Sequence, residues 1–275
     1  PTQRSHYVIK DGGDQPNVVP SQASVWYYFR ERTYDDIYKN MQAGIKIAQG
    51  AALMTDTKMT YKILGTAWPG HFNKPIAEAM YKNIQRVGMP AWSEQDEQLA
   101  IAVQKLLEAP EKDNQGRPVK GMRKVIDTIK GSVPFSWGGG SDDIADISWN
   151  VPTIVLRYPA NIQGTKGHHW GDAIAMATPI AHKGSLAGAK ATALTLIDLF
   201  TNPAILAQAK DYFTNVQTKQ QQYIPFISAK DPPPVYLNKE IMDKYREKMK
   251  PYYYDPTKYG TYLEQLGIQY PTLLK

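Results

Sequence analysis

The chain contains no cysteine. Disulfides, thiolate metal sites, iron–sulfur clusters and a nucleophilic thiol are therefore excluded together. The redox compartment stays open, cytoplasmic or periplasmic, because proteins on either side of a membrane can do without cysteine. Long apolar runs are also missing: none approaches the roughly 20 residues that a helical membrane span requires. One-sided charge is missing too. Against 32 Lys and Arg stand 26 Asp and Glu, a formal charge of +6 over 275 residues. That balance attracts anions weakly and does not make a nucleic-acid binder. The histidines number five, His6, His71, His168, His169 and His182, and none lies in HExxH. There is no Cys/His ladder, GxSxG elbow or Walker loop, and the glycines at 138–140 run into Ser141-Asp142-Asp143, too acidic to cradle phosphate.

What remains is globular material. At 42% hydrophobic and 21% charged, the chain is long enough for one large or two small domains with a core that needs no staples. Ser5 to Lys10 alternates as a strand, stopped by Asp11-Gly12-Gly13-Asp14, and Ala23 to Arg30 reads as a second strand with apolar residues on both faces. A helix follows with capping-box spacing at Thr33 and Asp36 and a stripe of Ile37, Met41, Ile45 and Ala48. Thr57 to Leu64 alternates as a third strand, and Trp68-Pro69-Gly70 marks a domain boundary. Two helices come next, one from Pro75 to a stop at Gly88, the other opening at Ser93 with Asp96 three residues on. Residues 109–123 read as a polar loop and 134–140 as a Gly-rich one. Val151 to Leu156 reads as a buried strand of an α/β sheet.

Thr178-Pro179 opens the longest helix, whose Gly184, Ala187, Gly188 and Ala191 make a small-residue face for close approach, and a further helix starts at Pro203. Residues 219–275 hold nine of the 18 tyrosines and seven of the 20 prolines. They read as a surface-wrapped extension with one helix from Asn238 to Lys250. With six acids among nine bases, its aromatics favour packing on the parent domain over stacking on nucleic acid.

The densest polar cluster is Gly164-Thr-Lys-Gly-His168-His169-Trp170-Gly-Asp172, in a loop of the kind where α/β proteins place their sites. His168 is either a metal ligand or a partner of a backbone group. A catalytic zinc site needs about three protein ligands, and His169, Asp172 and His182 are the remaining local donors. Asp142, Asp143 and Asp146 are either carboxylate ligands or, as the preferred reading, ordinary solvated acids near a helix start. Asn17 reaches a ligand or caps a turn. Arg30, at a strand end, pairs with a substrate carboxylate or is a surface charge. His182, in the first turn of its helix, suits a neutral anchoring role.

Taken in order, these segments resemble a known family. HYVIKDGGDQPNVVP (His6–Pro20) followed by a strand ending in Arg is similar to the lid domain of the M20 family of metal-dependent amidohydrolases and peptidases. NKPIAEAMYKNIQRVGMPAWSEQDEQLA, GSDDIADISWNVPT, GTKGHHW and TPIAHKGSLAGAKATA resemble its aminobenzoyl-glutamate utilisation branch, with related dipeptidases. The resemblance runs from about His6 to Tyr223. It implies an α/β fold: the C-terminal part of a zinc-peptidase-like α/β catalytic domain (69–218), part of a ferredoxin-like βαββαβ lid (1–68) and the extension (219–275).

The resemblance also implies roles. His168 falls at a late metal-ligand histidine, with zinc or another divalent ion as cofactor. Asn17 falls at the lid asparagine near the scissile carbonyl, and Arg30 at the arginine that pairs with a substrate carboxylate. Gly140 and Ser141 fall in a loop that touches substrate through its backbone. The implied partners are a small-molecule amide or dipeptide substrate and a second copy, as a homodimer through the lid, with no nucleic acid and no membrane.

The family's earlier ligands, its bridging acid, its Glu-Glu pair with the general base and a lid histidine are not in this sequence. In family order all would precede Pro1. The expectation is the C-terminal portion of a longer hydrolase, inactive alone. Two alternatives stand beside it. One is a non-catalytic oligomerisation or ligand-binding protein of the same fold. The other is a separate metal site built from His168, Asp143 and His182.

Overall fold

The computed structural model describes residues 2–129 and 140–273. The Gly-rich stretch expected over 134–140 lies outside them except for Gly140. The chain divides into two compact units: Pro1–His71, Ser132–Val151 and Gln217–Pro234 form the first, and Phe72–Gly131, Pro152–Val216 and Val235–Lys275 the second. The architecture is mixed α and β, mostly helical, with one two-stranded antiparallel sheet among the described residues.

In the first unit, β1 (Arg4–Asp11) and β2 (Ser24–Arg30) pair as a hairpin in which Tyr7 faces Tyr27, Val8 faces Trp26 and Arg4 faces Arg30. Gly13, with φ of 94°, supplies the left-handed residue that the connection needs. Opposed residues share a face. One face therefore carries stacked Tyr7, Tyr27 and Phe29, and the other carries Trp26 against Tyr28. Helix α1 (Tyr34–Met54) starts as its capping box dictates, the Thr33 hydroxyl accepting from the Asp36 amide at 3.2 Å. It approaches β2 at Gly44, where any side chain would enter the Phe29 ring.

Residues 57–64 do not form the expected strand. Their alternation is real, but a strand exists only where a neighbour accepts its ladder, and the described sheet stops at β1 and β2. Aromatic packing closes the unit instead. Trp68, 3% exposed, stacks on Tyr34 and meets Trp149 and Tyr223, while Phe226 packs on Tyr34. The two indole N–H groups are answered, Trp68 donating to the Ile224 carbonyl at 2.9 Å and Trp149 to the Pro69 carbonyl at 2.7 Å.

The second unit is built on helices. Pro75 opens α2 (Lys74–Val87) and Gly88, φ 75°, closes it. Helix α3 (Glu94–Leu106) carries the complete Ser93–Asp96 capping box. The long α5 (Pro179–Thr201) and α6 (Pro203–Tyr212) follow, each with proline in its first turn. Helix α2 packs on both, with Asn73 Nδ2 donating to the Ala209 carbonyl at 2.9 Å and Asn83 Nδ2 to Asp198 Oδ2 at 2.6 Å. Leu99, Ala100, Val103, Met122, Ile162, Ala175 and Ile180 form the core.

The small-residue face of α5 meets what it was built for. Its Gly184, Ala187, Gly188 and Ala191 are all buried, and a Cβ on Gly184 would overlap the Pro159 carbonyl and Ala160 Cα.

Two expectations are corrected here. Residues 109–123 are not simply a polar loop. Val119 and Met122 are buried, and buried Gln104 donates to the carbonyls of Val119, Gly121 and Gln163 and accepts from the Gly121 amide. Residues 151–156 form no strand ladder, and Val155 is 36% exposed. The apolar run is β-competent, and the Asn73 amide donates to its Thr153 carbonyl at 2.8 Å, but it joins no sheet among the described residues.

Within 235–273 the expected helix is present as α7 (Lys239–Met249), ahead of a short α8 (Tyr262–Gln265). Beyond it, Tyr270 packs against the core and donates its hydroxyl to Asp96 Oδ1 at 2.7 Å. Asp96 is fully buried and also accepts from the Ser93 amide at 2.7 Å and from the Lys183 ammonium. Burial alone would raise its pKa, but the hydrogen bonds from Lys183, Tyr270 and Ser93 outweigh it and hold the carboxyl below its ordinary 3.8.

Two outcomes are expected. Gly184→Val forces a side chain onto backbone atoms that have nowhere to go, lowering stability in urea unfolding by about 1–3 kcal/mol or more. Asp96→Asn removes the anion that three donors share, and at neutral pH lowers stability by about 2–4 kcal/mol. Because the folded-state pKa is depressed, this contribution is full above 3.8 and is lost as pH falls through the folded value. The gap between wild type and Asp96→Asn should therefore narrow in acid.

Candidate functional site

The loop 164–172 belongs to the second unit and is tied from within. Gly164, φ 79°, sits where a Cβ would strike Val119. Asp172 Oδ1 accepts from the Thr165 hydroxyl at 2.7 Å and from Asn161 Nδ2 at 2.9 Å, and the Asp172 carbonyl accepts from the same amide. Asp172 is thus an anchor of the loop. Gly171 is buried against Leu107, which fixes the start of the 3-10 turn Trp170–Ala177.

The two adjacent histidines have different environments. His169 caps that turn: its Nδ1 accepts from the Gly171 amide at 3.1 Å, and its ring lies 5.1 Å from that of Trp170. As an acceptor, Nδ1 carries no proton, so the proton of neutral His169 sits on Nε2. His168 is exposed and holds φ of 60°, a left-handed conformation that histidine tolerates better than most residues. Both rings are exposed, and His168 takes no part in that cap.

In the first unit, Asn17 is exposed in a β-turn closed by the Val18 amide donating to the Gln15 carbonyl at 3.1 Å. Arg30 ends β2 with its guanidinium 5.5 Å from the Tyr28 ring centre. Its cross-strand partner is Arg4, so two arginines occupy one register position. Like charges directly opposed repel, and an anion at that end of the hairpin relieves them. Arg4 was not singled out in sequence. The hairpin alternation, counted back from Arg30, is the signal that finds it.

Gly140 and Ser141 are exposed just ahead of the short helix α4 (Ile144–Ser148). The acidic cluster beside them divides. Asp142 and Asp143 are exposed, as the preferred reading holds, but Asp146 is an internal anchor. It accepts from the Trp68 amide at 3.0 Å and from the Tyr223 hydroxyl at 2.8 Å. Burial, reinforced by that carboxylate, pushes the Tyr223 hydroxyl up to about 12. Sequence spacing cannot show this role, because the three partners come from distant parts of the chain. His71 is half-buried, 5.3 Å from Trp149, and burial lowers its pKa.

His182 is exposed in the first turn of α5, not anchored as expected. The alternative site of His168, Asp143 and His182 is not formed: among the described residues no group of three His, Asp or Glu side chains is placed to hold an ion. No described helix is long and apolar enough to cross a membrane.

No family model matches the chain. It is 29% identical over 248 residues to a p-aminobenzoyl-glutamate hydrolase subunit of Escherichia coli (strain K12), covering 84% of this chain and 52% of that protein. It is also 25% identical over 216 residues to Xaa-Arg dipeptidase of Mus musculus, and 24% identical over 227 residues to that of Homo sapiens. These cover 78% and 82% of this chain, and 41% and 43% of the dipeptidases. The chain spans about half the length of the curated relatives it matches. The relatives are M20 proteins, and the likeness to that family read from the motifs is borne out along most of the chain.

Proposed function

We propose that this chain is the C-terminal portion of an M20-type metal-dependent hydrolase that cleaves the amide bond of an aminobenzoyl-glutamate or dipeptide-like substrate. The observation that carries the reading is the similarity to the E. coli hydrolase over 84% of the chain. On this reading 1–68 is part of a lid, 69–218 part of a catalytic domain and 219–275 an extension.

His168 would hold one of the divalent ions, with zinc the first choice. Its exposed imidazole suits such an ion, whereas His169 is spent on its cap and Asp172 on its loop. The metal, when bound, polarises the scissile carbonyl and lowers the pKa of a water. The chain's other residues bind and orient. Arg30, with Arg4 opposite, pairs with the carboxylate of the leaving portion. Asn17 Nδ2 donates toward the scissile amide, and Gly140 and Ser141 offer backbone groups to the substrate. The general base and the remaining ligands lie in the part of the relatives that this chain does not match. The hairpin, with Tyr7, Val8, Ile9 and Tyr27 all at least 49% exposed, supports pairing of two copies through the lid.

The chain purified free of any longer form should hydrolyse neither aminobenzoyl-glutamate nor an Xaa-Arg dipeptide. Hydrolysis by this chain alone would overturn the reading. In the complete enzyme, His168→Ala should lower kcat/KM at least about 100-fold, with matching loss of bound zinc by elemental analysis. Arg30→Ala should raise KM for carboxylate-bearing substrates roughly 10- to 100-fold with kcat little changed, as expected for a lost charged hydrogen bond.

A further inference from the structure

The turn that follows His168 and His169 is unusually long for its kind. Trp170–Ala177 runs as a 3-10 helix over eight residues, whereas most such runs stop after three or four. At three residues per turn, positions three apart eclipse one another. In an α-helix each such step would swing by about 60° instead. Trp170, Ala173 and Met176 therefore line up on one face, and all three are exposed, Trp170 by 62% and Met176 by 52%. Gly171, Ile174 and Ala175 turn inward and pack on the core.

Tryptophan is seldom left this open to water. Here the indole is held in place. Gly171, the next residue, is locked against Leu107, and the Trp170 ring lies 5.1 Å from that of His169, which is itself fixed by the Gly171 amide. The apolar strip is short. Ahead of it, Lys166 to His169 are exposed and either polar or glycine, so the strip starts within the candidate site and does not continue as a broad apolar patch on that side. Three side chains fall far below the roughly 800 Å² per partner of a stable protein interface. They suit a single ring: a flat indole to stack on, a small residue at Ala173 that leaves room, and a thioether that favours aromatic neighbours.

We propose that the outer face of this 3-10 turn is the subsite for an aromatic acyl group of the substrate, with Trp170 as its platform and Met176 at its far end. The inference rests on the reading of the chain as part of an amide hydrolase in which His168 holds an ion. A ring joined directly to the scissile carbonyl, as in an aminobenzoyl group, comes next to whatever polarises that carbonyl, and Trp170 is two residues from His168. An aliphatic aminoacyl group brings no ring there. Trp170 thus selects on the acyl portion, whereas Arg30 reads the leaving portion.

On the chain itself the probe is p-aminobenzoic acid at millimolar concentration, followed by NMR. The Trp170 indole N–H signal, assigned through Trp170→Phe, should shift more than those of the other five tryptophans. Cyclohexanecarboxylic acid, which has the same charge and no aromatic face, should leave it in place. Saturation transfer to the aryl protons should fall at least about threefold in Trp170→Ala. In the complete enzyme, Trp170→Ala should raise KM for aminobenzoyl-glutamate roughly 3- to 10-fold, as a lost ring stack does, and leave KM for alanyl-glutamate within about twofold. Ala173→Leu, which fills the strip from an exposed position, should act in the same direction, and Trp170→Phe should keep most of the affinity. Thermal unfolding of each variant checks that it folds.

Equal losses on the two substrates overturn the proposal, because a merely structural role moves both together. So does a Trp170 signal that p-aminobenzoic acid leaves in place. Failure of the complete enzyme to hydrolyse either substrate overturns the parent reading. Hydrolysis without the selective loss overturns the aryl subsite alone.

Discussion

A carboxylate with no exposure to water must have its charge answered, and Asp96 is answered three times. It sits at the third position of α3, where the helix N-terminus itself favours an anion. Its oxygens then take the Ser93 amide, the Lys183 ammonium of α5 and the Tyr270 hydroxyl from near the C-terminus. One ionised group thereby sets the start of α3, the rotation of α5 and the docking of residues more than 170 positions away. The apolar core around Leu99, Ile180 and Tyr270 supplies most of the burial energy, but it is tolerant of small shifts. The buried anion is not, since each lost donor leaves desolvated charge behind.

The first unit repeats the device in a weaker form. Asp146 is only half-buried, and the two donors to its carboxylate, the Trp68 backbone amide and the Tyr223 hydroxyl, sit amid packed aromatic rings. The indoles give that cluster direction, because each N–H must find a carbonyl when its ring is buried. The result is a set of carboxylates whose neighbours in sequence look alike and whose roles differ. Asp142 and Asp143 face solvent while Asp146 holds three segments together, and no spacing rule separates them.

Helix starts were legible because their signals are local. Thr33–Asp36, Pro75, Ser93–Asp96, Pro179 and Pro203 all open helices where capping chemistry places them. The hairpin was legible for a related reason: its two strands are close in sequence, and the Gly12-Gly13 pair ends the first of them. Strands at 57–64 and 151–156 were misjudged because alternation and β-branching state what a segment can do, and a partner edge decides whether it does so. The polar stretch 109–123 was misjudged in the opposite sense. Its charged residues are paired, Arg117 with Asp113 inside the stretch and with Asp127 just beyond it, while Val119 and Met122 turn inward. Tyr270 was hidden in a tyrosine-rich segment in which most rings are exposed.

Of the candidate site, residue types were legible and their division of labour was not. Two adjacent histidines look interchangeable on paper. The backbone distinguishes them: the left-handed turn at His168 places His169 as the cap of the next turn, and the cap takes the nitrogen that a metal would need. Asp172, a third apparent donor, is committed to Thr165 and Asn161. Each commitment removes a rival and stiffens the loop that carries His168. On the proposed reading, His168, exposed on a loop braced by Asp172, Gly171 and Gly164, supplies one ligand of a shared metal site. The end of the hairpin is similar, where Arg4 opposite Arg30 sets two like charges at one register position, a repulsion that a bound anion would relieve. On the proposed reading, both places hold in position groups whose complement comes from outside the chain.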